Sequence, residues 1–336
     1  MGHRPALTPN LADVPELKEN LTENCLVRPL GQNDLPALTE LINTLAAHDG
    51  SPDRQTEPEL RDQLEAAGFV LADDSRVAAT PAGTLAGWAI VPTPPAGGYL
   101  LHCLGGVRPE SRGTGIGRQL LGWQLERAAE LWAAAGDTRP WQFHVGVPAD
   151  DQQTERLCAR FGLAPVRYWF EMERPVADPS PAAILPEGLE IVPYEDRHEG
   201  SLYRAHTVAF AGHFGFQDRT QEEWRSRLQT QNLRPGQSVV AVDSAGEVVS
   251  YVISYGSAID PTRMLMGGIG TRPEWRRKGV ASALIAAGFT AYRKAGVQTA
   301  RLEVDSSNST GAVGVYERMG FRVVRRSTTF GRLIGS

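Results

Sequence analysis

Arg276-Arg277-Lys278-Gly279-Val280-Ala281 runs directly into an apolar-periodic segment that continues to Lys294. Small residues let a backbone bend closely around a ligand, and the first amides of a helix have no partners inside it. Basic side chains beside those amides, at the positive end of the helix dipole, make the chemistry of a diphosphate seat. The spacing predicts that amides from Arg277 through Ala281, with Ser282 next in line, face such a group. Arg276, Arg277 and Lys278 would add positive field. A near-copy, Arg112-Gly113-Thr114-Gly115-Ile116-Gly117, opens another helix-like run 164 positions earlier (276 minus 112). Two such seats suggest two copies of one nucleotide-cofactor domain. Gly113, Gly115 and Gly117 lack the G-x-G-x-x-G spacing of a dinucleotide fold, and no acid follows at a suitable strand end.

The elements that must position these bends repeat too. Val27-Arg28-Pro29 and Ile191-Val192-Pro193 open the two halves, again 164 apart (191 minus 27). In the second half, 195–211 and 221–229 read as helices, and Thr220 with Glu223 fits a capping box before the second. Strand-rich runs cover 238–242, 248–255 and 264–271. Val280, Leu284, Ala287 and Ala291 recur at helical spacing, and Gly296 stops that helix. A strand over 300–304, a helix over 312–319 and a pair of strands over 321–325 and 328–333 close the chain. The order implies an α/β (α+β) mixed sheet with helices on its faces. Proline-rich 177–188 reads as an extended connector, and 1–22 as a tail or surface arm.

Composition bounds the function. With 336 residues the chain suits two domains, and a net charge of -5 argues against a general nucleic-acid binder. No apolar run is long enough to span a membrane, and Cys25, Cys103 and Cys158 show neither CxxC nor metal-like spacing, which fits a reducing cytoplasm.

The element order with Arg-x-x-Gly-x-Ala after the fourth strand resembles the GNAT superfamily of acyl-CoA-dependent N-acyltransferases. So does the later series Leu302-Glu303-Val304-Asp305, Asn308, Ala312, Tyr316-Glu317 and Gly320-Phe321. The tandem arrangement is similar to mycothiol synthase and related two-GNAT proteins. A catalytic carboxylate of that enzyme would fall near Leu265, where no acid stands.

The resemblance implies two tandem GNAT folds, each a mixed, mostly antiparallel sheet flanked by helices: a degenerate copy over 23–176 and a catalytic one over 189–336. The implied co-substrate is acetyl-CoA, without a metal. Its pyrophosphate would rest on the second bend and its pantetheine arm along Ile269-Gly270-Thr271, with Asn308 hydrogen-bonding the cofactor. Gly105-Gly106-Val107 and 112–117 are the matching cofactor positions of the first half. Tyr316 is the expected general acid for the departing thiolate. A phenol near pKa 10 protonating a thiolate near 8.5 is uphill by only about 2 kcal/mol. Glu303 is the expected base for the amine, acting directly or through water. His213, Phe214 and Phe216 would form the acceptor pocket.

The first half keeps its bend but loses this chemistry. Cys158 stands at the Tyr316 position, Asp150 at Asn308, and Val145 is expected at Glu303. The reading is an enzyme that acetylates a primary amine, on a small molecule or peptide, in a ternary complex. It would be a cytoplasmic monomer or homodimer, with neither nucleic acid nor membrane as partner. The rival is a non-catalytic CoA-binding or regulatory module.

Overall fold

A computed structural model describes residues 25–66, 70–308 and 310–335; the tail expected over 1–22 lies outside them. The first half runs β1 (Leu26–Arg28), α1 (Leu35–His48), α2 (Glu57–Ala66), α3 (Leu71–Asp74), β2 (Ser75–Ala79) and β3 (Leu85–Ile90). It continues through β4 (Leu100–Val107), α4 (Ile116–Ala135), β5 (Trp141–Pro148), α5 (Gln152–Arg160) and β6 (Ala164–Pro175). The second half repeats most of this order. It runs β7 (Glu190–Pro193), α6 (Glu199–Phe210), α7 (Gln221–Leu228), β8 (Val239–Val242), β9 (Val248–Tyr255) and β10 (Arg263–Thr271). Then come α8 (Val280–Lys294), β11 (Thr299–Asp305), α9 (Ala312–Arg318) and β12 (Arg322–Ile334).

The helices form where periodicity and caps agree. Val280, Leu284 and Phe289 of α8 are at most 1% exposed and face one core. Full burial of such side chains stabilises the fold by roughly 1.5–3 kcal/mol each. Gly296 follows the helix at φ 76°, the left-handed turn that glycine adopts without strain. On α7, the Thr220 amide donates to Glu223 at 2.8 Å and the Glu223 amide to the Thr220 hydroxyl at 3.2 Å, closing the capping box. Among the described residues, no helix is long and apolar enough to cross a membrane.

The strands join into one twelve-stranded mixed sheet in the order β1-β2-β3-β4-β5-β12-β6-β11-β10-β9-β8-β7. At its centre the halves exchange their last strands: β6 lies against β11, and β12 lies against β5. Met172 and Val176 therefore complete the second half's core, while Phe330 and Ile334 complete the first half's. Buried Arg174 of β6 donates to the Met319 and Asp178 carbonyls and lies 4.2 Å over the Phe289 ring.

The closing pair of strands expected over 321–325 and 328–333 is instead one long strand, β12. Register shifts between Val323 and Arg325 and between Thr329 and Phe330 bend it without breaking it. The first helix of the second half also begins later than 195, because Asp196–His198 forms a short 3₁₀ turn ahead of α6.

Candidate active site

β10 and β11 run parallel but stay paired only from Arg263↔Thr299 to Leu265↔Arg301. A bulge between Met266 and Gly268 then turns β10 away, and the strands splay. The opening holds a cavity of about 730 Å³ that reaches both faces of the sheet. One end is walled by the bend before α8, the other by the segment between α6 and α7.

At the bend, Gly279 has φ 85° and Arg277 has φ 60°, and Arg277 is the one positive-φ residue other than glycine among those described. In the first half Gly113 (φ 82°) and Gly115 (φ 96°) take the same two conformations. Alternating left-handed residues turn successive amides inward, making an anion nest ahead of the helix dipole. Arg276 is otherwise engaged. Its guanidinium donates to the Thr271 carbonyl at 3.1 Å and the Ala209 carbonyl at 2.8 Å, locking the bend to β10 and α6. Arg277, Gly279, Val280, Ala281 and Ser282 line the cavity; Lys278 instead lies 4.9 Å from the Trp275 ring centroid, off the wall.

Ile269, Gly270 and Thr271 form the β10 side of the wall. The bulge matches the reading of strand glycines, but their missing Cβ atoms have a packing reason as well. A Cβ on Gly270 would fall 2.5 Å from the Tyr251 ring, and one on Gly267 would fall 2.6 Å from the Tyr255 ring. Asn308 lies on the wall while its side-chain oxygen accepts from the Thr310 amide at 2.8 Å; it thus shapes the turn before α9 with its amide nitrogen still unused among the described residues.

Tyr316 is 8% exposed, yet its side chain lines the same cavity. Its ring meets Phe321 edge-on with centroids 6.2 Å apart, and its hydroxyl bonds to none of the described residues. Burial pushes the phenol well above its ordinary pKa, so it stays protonated across the neutral range.

Glu303 projects from the opposite face of β11 and is exposed to the cavity. Protein crowding still removes enough water to raise its carboxyl pKa. Glu171 of β6 and Asp53, in the segment after α1, raise it further, against the pull of Arg301 and Arg325. Both of those added carboxylates come from the first half. Asp53 itself pairs with Arg301 at 2.8 Å.

Of the residues expected to form the acceptor pocket, His213 and Phe214 line the cavity; Phe216 does not, and sits against His206 with ring centroids 6.3 Å apart. The segment is held by the first half. Phe214 stacks on His144 with ring centroids 5.5 Å apart, and the Arg167 guanidinium of β6 lies 4.3 Å from the Phe214 ring centroid. Gln217 bonds the Tyr99 amide at 2.8 Å and the Leu100 amide at 2.9 Å, standing in for a strand neighbour along β4.

The sequence reading missed Trp169, a cavity residue brought by the strand exchange, and Trp275, Thr310 and Arg318. Trp275 and Thr310 lie between motif positions whose spacing gave no reason to single them out. Trp169 had no local signal, because β6 belongs by sequence to the other half.

The first half holds a second cavity of about 700 Å³, lined by Gly105, Gly106 and Val107 and by Arg112, Gly113, Gly115 and Gly117. Thr114 and Ile116 are off its wall: Thr114 donates to the Ser111 carbonyl at 2.7 Å, and Ile116 is buried in the core. Cys158 does correspond to Tyr316, since Leu163 N bonds Cys158 O just as Phe321 N bonds Tyr316 O, each at 3.0 Å. Burial pushes its thiol up to about 12, so it too stays protonated across the neutral range. Register corrects the Glu303 counterpart. Val145 packs into the core behind the sheet, whereas Glu303 faces the other way, so Gly146 is its match. The one-residue offset comes from the segment between strand and helix: Glu303 to Tyr316 spans 13 positions (316 minus 303), whereas Gly146 to Cys158 spans 12 (158 minus 146). Asp151, rather than Asp150, reaches this cavity's wall.

A split parallel pair with a nest at one end, repeated in tandem, defines a GNAT-type acyltransferase fold. Residues 201–321 match the acetyltransferase (GNAT) family model. A mycothiol acetyltransferase of Thermobispora bispora is 32% identical over 246 residues, covering 70% of this chain and 76% of that protein. The chain belongs to the GNAT acetyltransferase family. Another mycothiol acetyltransferase, from Propionibacterium freudenreichii, is 31% identical over 65% of this chain and 66% of its own length. Among solved structures, a GCN5-related N-acetyltransferase from Sphaerobacter thermophilus aligns with a TM-score of 0.75 and 28% identity, covering 92% of this chain and 95% of that one. A tandem GNAT protein from the clavulanic acid biosynthesis pathway shares the fold, with a TM-score of 0.67 and 18% identity over 93% of this chain and 99% of its own.

Proposed function

We propose that the protein transfers an acetyl group from acetyl-CoA to a primary amine, and that residues 189–336 carry the reaction while 23–176 supply support. The nest at 277–281 receives the pyrophosphate of CoA, and the splayed edge of β10 receives its amide-rich arm. The amine nitrogen attacks the thioester carbon; the C–S bond breaks, and the sulfur takes up a proton from the Tyr316 hydroxyl. Glu303 accepts the proton that the amine loses, directly or through one water. Its raised pKa makes it a better base than an ordinary carboxylate. The acceptor is a small-molecule or peptide amine, as fits relatives named for acetylating mycothiol. The enzyme would work in the cytoplasm without a metal.

One observation carries this reading: the nest, Tyr316 and Glu303 all line one cavity, with the latter two on opposite faces of a split sheet. Tyr316→Phe is the test. Turnover, followed as thiol release, should fall by about 10²-fold while CoA affinity is kept. Unchanged turnover removes Tyr316 from the mechanism.

A further inference from the structure

Two large aromatic side chains on the cavity wall take no part in the cores. Trp169 of β6 and Phe214, in the segment between α6 and α7, both line the cavity. Among the described residues, neither belongs to any of the hydrophobic clusters. Phe210, Trp275 and Tyr316 line the same cavity, but each of these also packs into a core. Apolar ring surface that no core uses is surface that a ligand can take out of water.

Both rings are nevertheless fixed in place. The Trp169 indole N–H donates to the Thr329 hydroxyl at 2.8 Å, and among the described residues no ring or cation stacks on its faces. Phe214 has His144 stacked on it with centroids 5.5 Å apart and the Arg167 guanidinium 4.3 Å from its centroid, which leaves mainly its edge free. Arg167 also pairs with Asp305 at 3.4 Å, and Asp305 of β11 stands directly opposite Trp169. The two rings thus flank one ion pair.

Register sets their distance from the reacting end. The Trp169–Asp305 pair lies two residues along the same face of the sheet from the Glu171–Glu303 pair, about 7 Å away. The polar groups beside the rings are already engaged. Asp305 accepts from the Ser307 amide at 2.8 Å as well as pairing with Arg167, and Thr329 takes the indole N–H. A hydroxyl-rich body such as a sugar ring would leave polar groups unpaired here, whereas a flat apolar one needs no partners.

We propose that Trp169 and Phe214 select an acceptor amine bearing an aromatic ring, joined to the nitrogen by a spacer of about two or three carbons. With the nitrogen at Glu303, the ring lies on the Trp169 indole and meets the edge of Phe214. Stacked and edge-to-face contacts are the ones that aromatic rings prefer. Trp169 comes from the first half's last strand and Phe214 from the second half, so the strand exchange assembles the slot.

This inference rests on the acetyl-transfer reading, and the test separates the two. Thiol release from acetyl-CoA is measured with the purified full-length protein on phenethylamine, cyclohexylethylamine, propylamine and glucosamine. Phenethylamine should exceed cyclohexylethylamine in kcat/KM by about threefold or more, since aromatic contacts add to area burial. It should exceed propylamine and glucosamine by about tenfold or more. Trp169→Leu should raise KM for phenethylamine about tenfold more than KM for propylamine, with the loss in KM rather than in kcat, and Trp169→Phe should recover part of it. Phe214→Leu should act in the same direction. Equal use of the phenyl and cyclohexyl amines, better use of glucosamine, or a Trp169→Leu variant that slows phenethylamine and propylamine alike overturns the slot. If no amine is turned over, the acetyl-transfer reading fails, and the slot is read by titrating phenethylamine calorimetrically into CoA-saturated protein. Binding heat lost in Trp169→Leu supports it; heat that is absent, or equal in both proteins, overturns it.

Discussion

Glu303 on β11 stands directly opposite Glu171 on β6, a pair of carboxylates contributed by different halves of the chain. Like charges facing each other across antiparallel strands repel, and here that repulsion adds to burial in raising the Glu303 pKa. Arg325 and Arg301 hold Glu171 from the flanks at 2.6 and 2.5 Å. The carboxylate proposed as the base of one half is thus tuned by a strand from the other.

Glu171→Gln should lower the Glu303 pKa and move the acidic limb of the kcat/KM profile to lower pH. The neutral amide removes one repelling charge and frees two arginines to attract Glu303. A pH–rate profile checks this; a limb that stays in place or moves up would remove Glu303 as the titrating base.

Glu303→Gln should abolish most activity yet raise thermal stability at neutral pH. The sign follows from linkage. A carboxyl whose folded pKa is raised binds its proton more tightly in the folded state, so stability falls as pH climbs through the unfolded and then the folded pKa. Removing the ionisable group removes that loss. Melting curves at pH 4 and pH 8 should show the variant's advantage only at the higher pH.

Arg277→Gly should weaken CoA binding by about tenfold with little change in stability. The left-handed backbone costs an arginine about 1 kcal/mol, which glycine would recover. Glycine gives back a similar amount, roughly 0.5–1 kcal/mol, through the entropy of the unfolded chain. Calorimetric CoA titration beside thermal melting reads both. Unchanged affinity would mean that the guanidinium does not meet the cofactor.

His144 is 3% exposed, and burial holds its imidazole down to about 4. A depressed histidine contributes stability above its unfolded pKa and loses it as pH falls from about 6.5 toward the folded value. Denaturant unfolding between pH 7 and pH 4 should show one proton's worth of extra acid sensitivity, about 3 kcal/mol at most, that His144→Gln lacks. Parallel curves for the two proteins would contradict it.

Neither 23–176 nor 177–336 should fold alone, because each core needs side chains from the other half's last strand. Circular dichroism and melting of the separate and the co-expressed halves check this. Two independently cooperative halves would show the exchange to be dispensable.

The sequence by itself determined the local devices. Arg276 to Ala281 announced the bend, Val280, Leu284 and their neighbours the helix behind it, and Thr220 with Glu223 a cap. Each depends on residues a few positions apart, where backbone sterics and helical period act directly. The line from Leu302 to Phe321 likewise pointed to Tyr316 and Glu303 before any fold was known. Tertiary structure decided what crosses the halves: the traded strands, Trp169 on the cavity wall, Glu171 and Asp53 beside Glu303, and Gln217 anchoring the segment between α6 and α7. Pairing partners of strands far apart in the chain are set by the total fit of the sheet and its two cores, which no local spacing encodes. A connection before α9 that is one residue longer than the one before α5 moved the first half's match of Glu303 from Val145 to Gly146, since a one-residue slip flips which face a strand position serves.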